Sequence, residues 1–141
     1  MIVTTPTMEI GQNFLSALSE RDFYRLQDLF REDAQFRALV PTGTRVGNGA
    51  AEAVNWLRRW FGTADEVQML SSSVDQVSDR LHIAYSFRAR IRWDWQVIEH
   101  QVFCTVSNGQ IDEMNLVSSD FLPEPEPQTE VMVGTYFDRG L

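Results

Sequence analysis

Apolar residues recur at helical spacing in three stretches and alternate with polar ones through most of the rest. Residues 8–19 place Ile10, Phe14, Leu15 and Leu18 on one side, which predicts a helix after a lead-in over 1–8. Glu20-Arg21-Asp22 breaks the pattern, and Asp22 is placed to cap a second short helix over 23–30. That helix carries Phe23, Leu26, Leu29 and Phe30, so the two together predict an αα-hairpin. Residues 34–40 set Ala34, Phe36, Ala38 and Val40 against Gln35, Arg37 and Leu39, the period of a short strand that Pro41 ends. The stretch 42–49 holds Gly43, Gly47 and Gly49 and reads as a loop. A third helix is predicted over 50–61, apolar along Ala53, Val54, Trp56, Leu57, Trp60 and Phe61, with Gly62 closing it.

Beyond Gly62 the pattern turns extended. Residues 66–77 predict a strand, irregular at Ser71-Ser72-Ser73. In 81–93, Leu81, Ile83, Tyr85, Phe87, Ala89 and Ile91 alternate with His82, Ala84, Ser86, Arg88, Arg90 and Arg92. Trp93-Asp94-Trp95 turns the chain into a strand over 95–107. Asn108-Gly109 then supplies the positive φ angles of a tight hairpin before a last strand from Ile111 to Asp120. Helices first and a meander of strands later predict an α+β fold: a cone-shaped, curved, mixed or antiparallel sheet wrapped around three helices, with room for a cavity. Residues 9–122 form the predicted domain. Pro123, Pro125 and Pro127 open an acidic, proline-rich tail over 123–141, in which 131–137 is apolar enough to dock.

A length of 141 residues suits one domain, and 43% apolar content suits a real core. The net charge of −8 argues against a nucleic-acid surface or a polybasic membrane patch. Cys104 is the only cysteine, so no disulfide forms within the chain, and it reads as a buried, inert thiol. The N-terminus lacks the features of a signal peptide, and no stretch approaches a membrane span, so a cytoplasmic location is expected. Neither paired histidines nor a Cys-x-x-Cys motif occurs, so no metal and no cofactor are expected.

The segments FLSALSERDFYRLQDLFREDAQF, AAEAVNWLRRWF and IEHQVFCTVSNGQIDEMNLVSSDF give the chain a resemblance to the nuclear transport factor 2-like superfamily, a cystatin-like fold. Within it, the chain resembles the SnoaL-like, ketosteroid isomerase-like branch. That likeness implies a cofactor-independent isomerase, cyclase or dehydratase acting on a small hydrophobic, polyketide-like molecule. Its isomerase residues carry over poorly. The base position aligns with Ala38 and a hydroxyl donor with Phe14, neither of which moves a proton. The acid donor of the penultimate strand aligns with Glu99. The last-strand Asp of the epoxide hydrolases aligns with Leu116. Asp120 matches the late-strand carboxylate of the cyclases.

Glu99 and Asp120 are therefore the catalytic candidates. A carboxylate turned into an apolar cavity is desolvated and becomes useful near neutral pH. Orientation decides this. A two-residue turn at Trp93-Asp94 sets Arg88 opposite Glu99, whereas a longer turn or a bulge puts Glu99 with Tyr85, Phe87 and Ala89. His100, next to Glu99, must face the other way and reads as a satisfied sheet histidine. Phe14, Phe36, Ala38, Trp56 and Met114 are the predicted apolar wall, with Tyr85 and Gln101 completing the ligand-binding set. Alternatively, the chain is a non-catalytic binding or association module. In either case the outer sheet face would pair two copies as a homodimer through Val102, Cys104 and Val106.

Overall fold

A computed structural model describes residues 5–125. Three helices, α1 (Pro6–Ser19), α2 (Phe23–Asp28) and α3 (Ala50–Phe61), lie against one sheet. Its strands are β1 (Phe30–Val40), β2 (Gly43–Asn48), β3 (Glu66–Val77), β4 (Arg80–Ile91), β5 (Asp94–Ser107), β6 (Gln110–Ser118) and β7 (Leu122–Pro123). The order is β2-β1-β6-β5-β4-β3, with β7 paired to β5. Only β1 and β6 run parallel, so the curled, unclosed sheet is mixed. The outcome is the expected cone-shaped α+β architecture.

Local chemistry sets the helix boundaries. Thr5 caps α1 by accepting from the Met8 amide at 3.0 Å, and Pro6 occupies the first turn, where no amide is missed. α1 therefore starts inside the stretch expected as a lead-in. Asp22 caps α2 as expected, accepting from the Arg25 amide. Arg21 donates to the carbonyls of Phe61 and Ala64, tying the end of α1 to the end of α3.

Two expectations are corrected. The glycine-rich stretch before α3 is strand β2, because β1 pairs with it from Val40↔Gly43 to Gln35↔Asn48. At Gly47 a side chain would press on the backbone of Glu52 and Ala53, and at Gly49 the backbone has φ +95. The glycines thus serve the close approach of α3 to β2 as well as a turn. In β3, the register shift falls between Met69 and Ser71, so the bulge precedes the serine run.

Alternation sorts the sheet into two faces. Phe36 and Ala38 of β1, Ile83, Tyr85 and Phe87 of β4, Ile98 and Val102 of β5, and Met114 and Leu116 of β6 are buried under the helices. Phe14 and Leu18 of α1 and Leu57 and Phe61 of α3 fill the space above them. Val102 and Cys104 belong to this core, which removes them from the predicted outer patch; Val106 packs partly against it. The thiol of Cys104 is pushed up by burial and then by Asp112, as befits an inert cysteine.

Candidate functional site

The β4–β5 turn decides what lies inside the cone. It is a two-residue turn at Arg92-Trp93, one position earlier than either turn weighed from the sequence, and it pairs Ile91 with Asp94. Both turn residues have positive φ, 53° and 76°. The register that follows sets Glu99 opposite Ser86, on the outer face, where Glu99 is exposed. Its expected inward orientation is thereby corrected. The alternative, an ion pair between Glu99 and Arg88, does not form either, since Arg88 lies opposite Val97 and grips Glu124 at 2.8 and 2.9 Å. The same guanidinium stacks over Trp95, 3.7 Å from the ring centroid.

His100 takes the inward place. It is fully buried, and its Nδ1 lies 2.7 Å from the hydroxyl of Tyr85, its partner across β4. On its other side its cross-strand partner is Ser118, also buried, whose Oγ accepts from the Asp120 amide at 2.9 Å. Tyr85, His100 and Ser118 thus form a polar row on an otherwise apolar inner face. Aromatic rings close over it. Trp60 meets His100 edge-on at 4.7 Å, Phe61 lies 5.6 Å from it, and Phe14 lies 6.1 Å from Tyr85.

Burial governs the electrostatics of this row. Desolvation lowers His100 from its usual 6.5 to about 3, so the ring is neutral at ordinary pH. Desolvation, with a smaller contribution from Cys104, holds the Tyr85 hydroxyl well above its usual value. Nε2 of His100 is buried without a hydrogen-bond partner. Phe14, Phe61, Phe87 and His100 are wholly inaccessible, so no water-sized space touches them. The cone is filled by its own side chains.

The other candidates divide. Phe14, Phe36, Ala38, Tyr85 and Met114, expected as the wall of a ligand site, are all buried in the core. Gln101 is not: it lies on the outer face, 2.6 Å from His82 Nε2. Trp56 sits between α3 and β2, where its indole donates to the Val46 carbonyl at 3.0 Å. Asp120 is not in the last strand but in a left-handed turn just past it (φ 56°). It is half-buried, and Oδ1 accepts from the Phe121 amide at 2.9 Å.

His100 is the residue that sequence reasoning undervalued, and a signal for it existed. Ile98, Val102 and Cys104 share its parity along β5, while Glu99 shares parity with Gln101 and Thr105. The apolar set marks the inner face.

The outer face carries a groove of about 400 Å³ bordered by His82, Phe103, Arg80, Thr105, Glu113 and Asn115. His82 stacks on Phe103 with the rings 12° from parallel. Among the described residues, no cluster of three or more His, Cys, Asp or Glu could hold a metal ion. No described helix is long and apolar enough to cross a membrane.

No family model matches the chain. No curated protein matches it either. Solved structures do. A proposed polyketide cyclase from Xanthomonas campestris superposes with a TM-score of 0.66 at 16% identity, covering 81% of this chain and 90% of that one. An LEH-like epoxide hydrolase from M. tuberculosis gives 0.64 at 18% identity, over 82% of this chain and 84% of that one. A hypothetical protein of ketosteroid isomerase-like fold from Catenulispora acidiphila, solved with trimethylamine, gives 0.64 at 14% identity, over 77% and 83%. The chain therefore shares the fold of these ketosteroid isomerase-like and cyclase-like structures. At these identities the likeness speaks for the fold alone.

Proposed function

We propose that the chain is a cofactor-independent acid–base enzyme, an isomerase, cyclase or dehydratase, for a small hydrophobic molecule taken into the cone. The observation that carries this reading is the Tyr85–His100 pair, set among apolar rings with one imidazole nitrogen unsatisfied. A buried polar atom without a partner costs about 1–3 kcal/mol, which a ligand would recover on binding. His100, neutral, would act as hydrogen-bond donor to an oxygen gaining charge. Asp120, in the turn just past β6, where its amide donates to the Ser118 hydroxyl, would accept the proton. Glu99 has no part in this, since it lies on the other face of the sheet.

The test is turnover of small cyclic ketones and linear poly-ketones by the full chain and by His100→Gln. The expected result is catalysis of at least one compound, with kcat/KM lowered tenfold or more in the variant. Undiminished turnover in His100→Gln would remove His100 from the mechanism, and absence of turnover throughout would sink the enzyme reading.

The outer sheet face supports a homodimer, for the enzyme and for a non-catalytic association module alike. Leu39, Val46, Val77, Phe103 and Val117 are all exposed, and Val77 and Phe103 border the groove. Phe103→Glu would place a charge in such an interface. A sedimentation equilibrium shifting from dimer to monomer on that change supports the pairing, and a chain monomeric from the start excludes it.

A further inference from the structure

An open depression of about 780 Å³ lies at the tip of the β4–β5 hairpin, beside the loop that follows α3. Asp65, Arg90, Arg92, Trp93, Asp94 and Gln96 border it, all exposed or half-buried. None of the polar side chains in this set makes a side-chain hydrogen bond to another described residue. The carboxylate paired with Arg90, on Glu66, stands off at 3.9 Å, and Arg90 Nε has no partner among the described residues. Arg88, one step along the same strand face, differs: Glu124 and Gln68 hold it. The depression therefore gathers donors and acceptors that the fold itself leaves open.

Trp93 adds an aromatic surface. It is 82% exposed and has φ 76°, an outlier for so bulky a residue. Strained backbone and an exposed indole are both unfavourable, and strain of this kind clusters at ligand-binding sites. The Arg90 guanidinium lies over the ring, 5.8 Å from its centroid, and most of the indole stays open.

We propose that this depression binds a neutral sugar, which stacks one ring face on Trp93 and shares its hydroxyls between the carboxylates of Asp65 and Asp94 and the guanidinium groups of Arg90 and Arg92. Charge balance selects the class. The two cations and two carboxylates oppose a net charge of either sign: an anion meets Asp65 and Asp94, and an amine meets Arg90 and Arg92. An apolar ring suits Trp93 but desolvates the polar groups without replacing their bonds to water. A sugar hydroxyl both donates and accepts. Two neighbouring hydroxyls match the paired oxygens of a carboxylate or the paired N–H groups of a guanidinium. The C–H groups of a pyranose face supply a flat apolar patch for the indole. The site is independent of the cone, since its residues are open to solvent and no core side chain has to move.

The experiment titrates the full chain with glucose, cellobiose, maltose, lactose and xylobiose. Glucose 6-phosphate, glucosamine and cyclohexanol serve as the anionic, cationic and apolar comparisons. Binding is read by NMR from the indole N–H signals of the tryptophans and the Gln96 amide. At least one neutral sugar should shift the Trp93 and Gln96 signals while leaving Trp56 and Trp60 in place. It should bind at least fivefold more tightly than any of the three comparisons. Trp93→Gly suits the left-handed backbone and so keeps the fold; it should weaken binding tenfold or more, read at Gln96, and Asp94→Asn should weaken it threefold or more. Unmoved Trp93 and Gln96 signals across all five sugars overturn the proposal, and so does undiminished binding by Trp93→Gly. Tighter binding of glucose 6-phosphate, glucosamine or cyclohexanol overturns it as well, and assigns the depression to an anion, a cation or an apolar ring instead.

Discussion

Tyr85 and His100 face each other across β4 and β5, hydroxyl to Nδ1 at 2.7 Å, inside a core whose other large side chains are hydrocarbon or aromatic. Such a pair holds two strands in one register, because a one-residue slip of β5 would carry His100 to the outside, bring Glu99 in and leave the Tyr85 hydroxyl without its partner. It also gives the interior a titratable group whose charged form the fold refuses.

That refusal makes stability depend on pH in a specific direction. The folded-state value of His100 is about 3 against an ordinary 6.5. Between the two, the unfolded chain binds a proton that the folded chain does not, so this contribution is full above pH 6.5 and falls as the pH drops toward 3. The slope approaches about 1.4 kcal/mol per pH unit, and about 2 kcal/mol is lost by pH 5. Urea unfolding at pH 7 and pH 5 should show this loss in the native chain and a correspondingly smaller one in His100→Phe. Equal losses in both would mean that another group carries the pH dependence.

Removing both members of the pair should cost less than the sum of removing each alone. Tyr85→Phe leaves Nδ1 without a partner, and His100→Phe strands the Tyr85 hydroxyl, each at about 1–3 kcal/mol. The double variant strands nothing and should recover about 1 kcal/mol relative to the sum. Additive costs in a denaturant double-mutant cycle would show that the 2.7 Å contact is energetically idle.

Gly11 should resist the change to alanine that usually favours a helix. It is buried in the middle of α1, and a Cβ there would lie 2.8 Å from Val74 Cγ1 on β3. The helical gain of about 1 kcal/mol competes with overpacking of about 1–3 kcal/mol against a stiff, β-branched neighbour. Gly11→Ala should therefore lower the thermal midpoint, and adding Val74→Ala should restore part of the loss. A midpoint that rises in the single variant would mean that α1 moves off the sheet without penalty.

The Arg92-Trp93 turn is a site of possible gain. Both residues hold left-handed backbone, costly for side-chain-bearing residues, and Trp93 is 82% exposed, so its removal forfeits little burial. Arg92→Asn combined with Trp93→Gly should stabilise the chain by about 1 kcal/mol or more. Calorimetry would detect the upward shift; a drop would indicate that the Arg90–Trp93 and Arg90–Trp95 contacts hold the hairpin in place.

Most of the architecture was legible in the order of residues. Periodicity located all three helices and the strands β1 and β3 to β6, because each buries one face and so repeats its apolar positions at a fixed interval. β2 was not legible, since Gly43, Gly47 and Gly49 satisfy the same pattern as a loop, and only pairing with β1 reveals the strand. The apolar wall residues Phe14, Phe36, Ala38, Tyr85 and Met114 were also within reach, each sitting on an apolar periodic face.

The identity of the polar group inside the cone was left to tertiary structure. Glu99 and His100 are adjacent, and a strand sends neighbours to opposite faces, so one enters only if the other leaves. The composition of β5 leans toward His100, but the choice was made by where the chain turns at Arg92-Trp93 and by how β4 and β6 align on either side. A residue's type sets what it can do chemically; the pairing of distant strands sets which solvent it does it in.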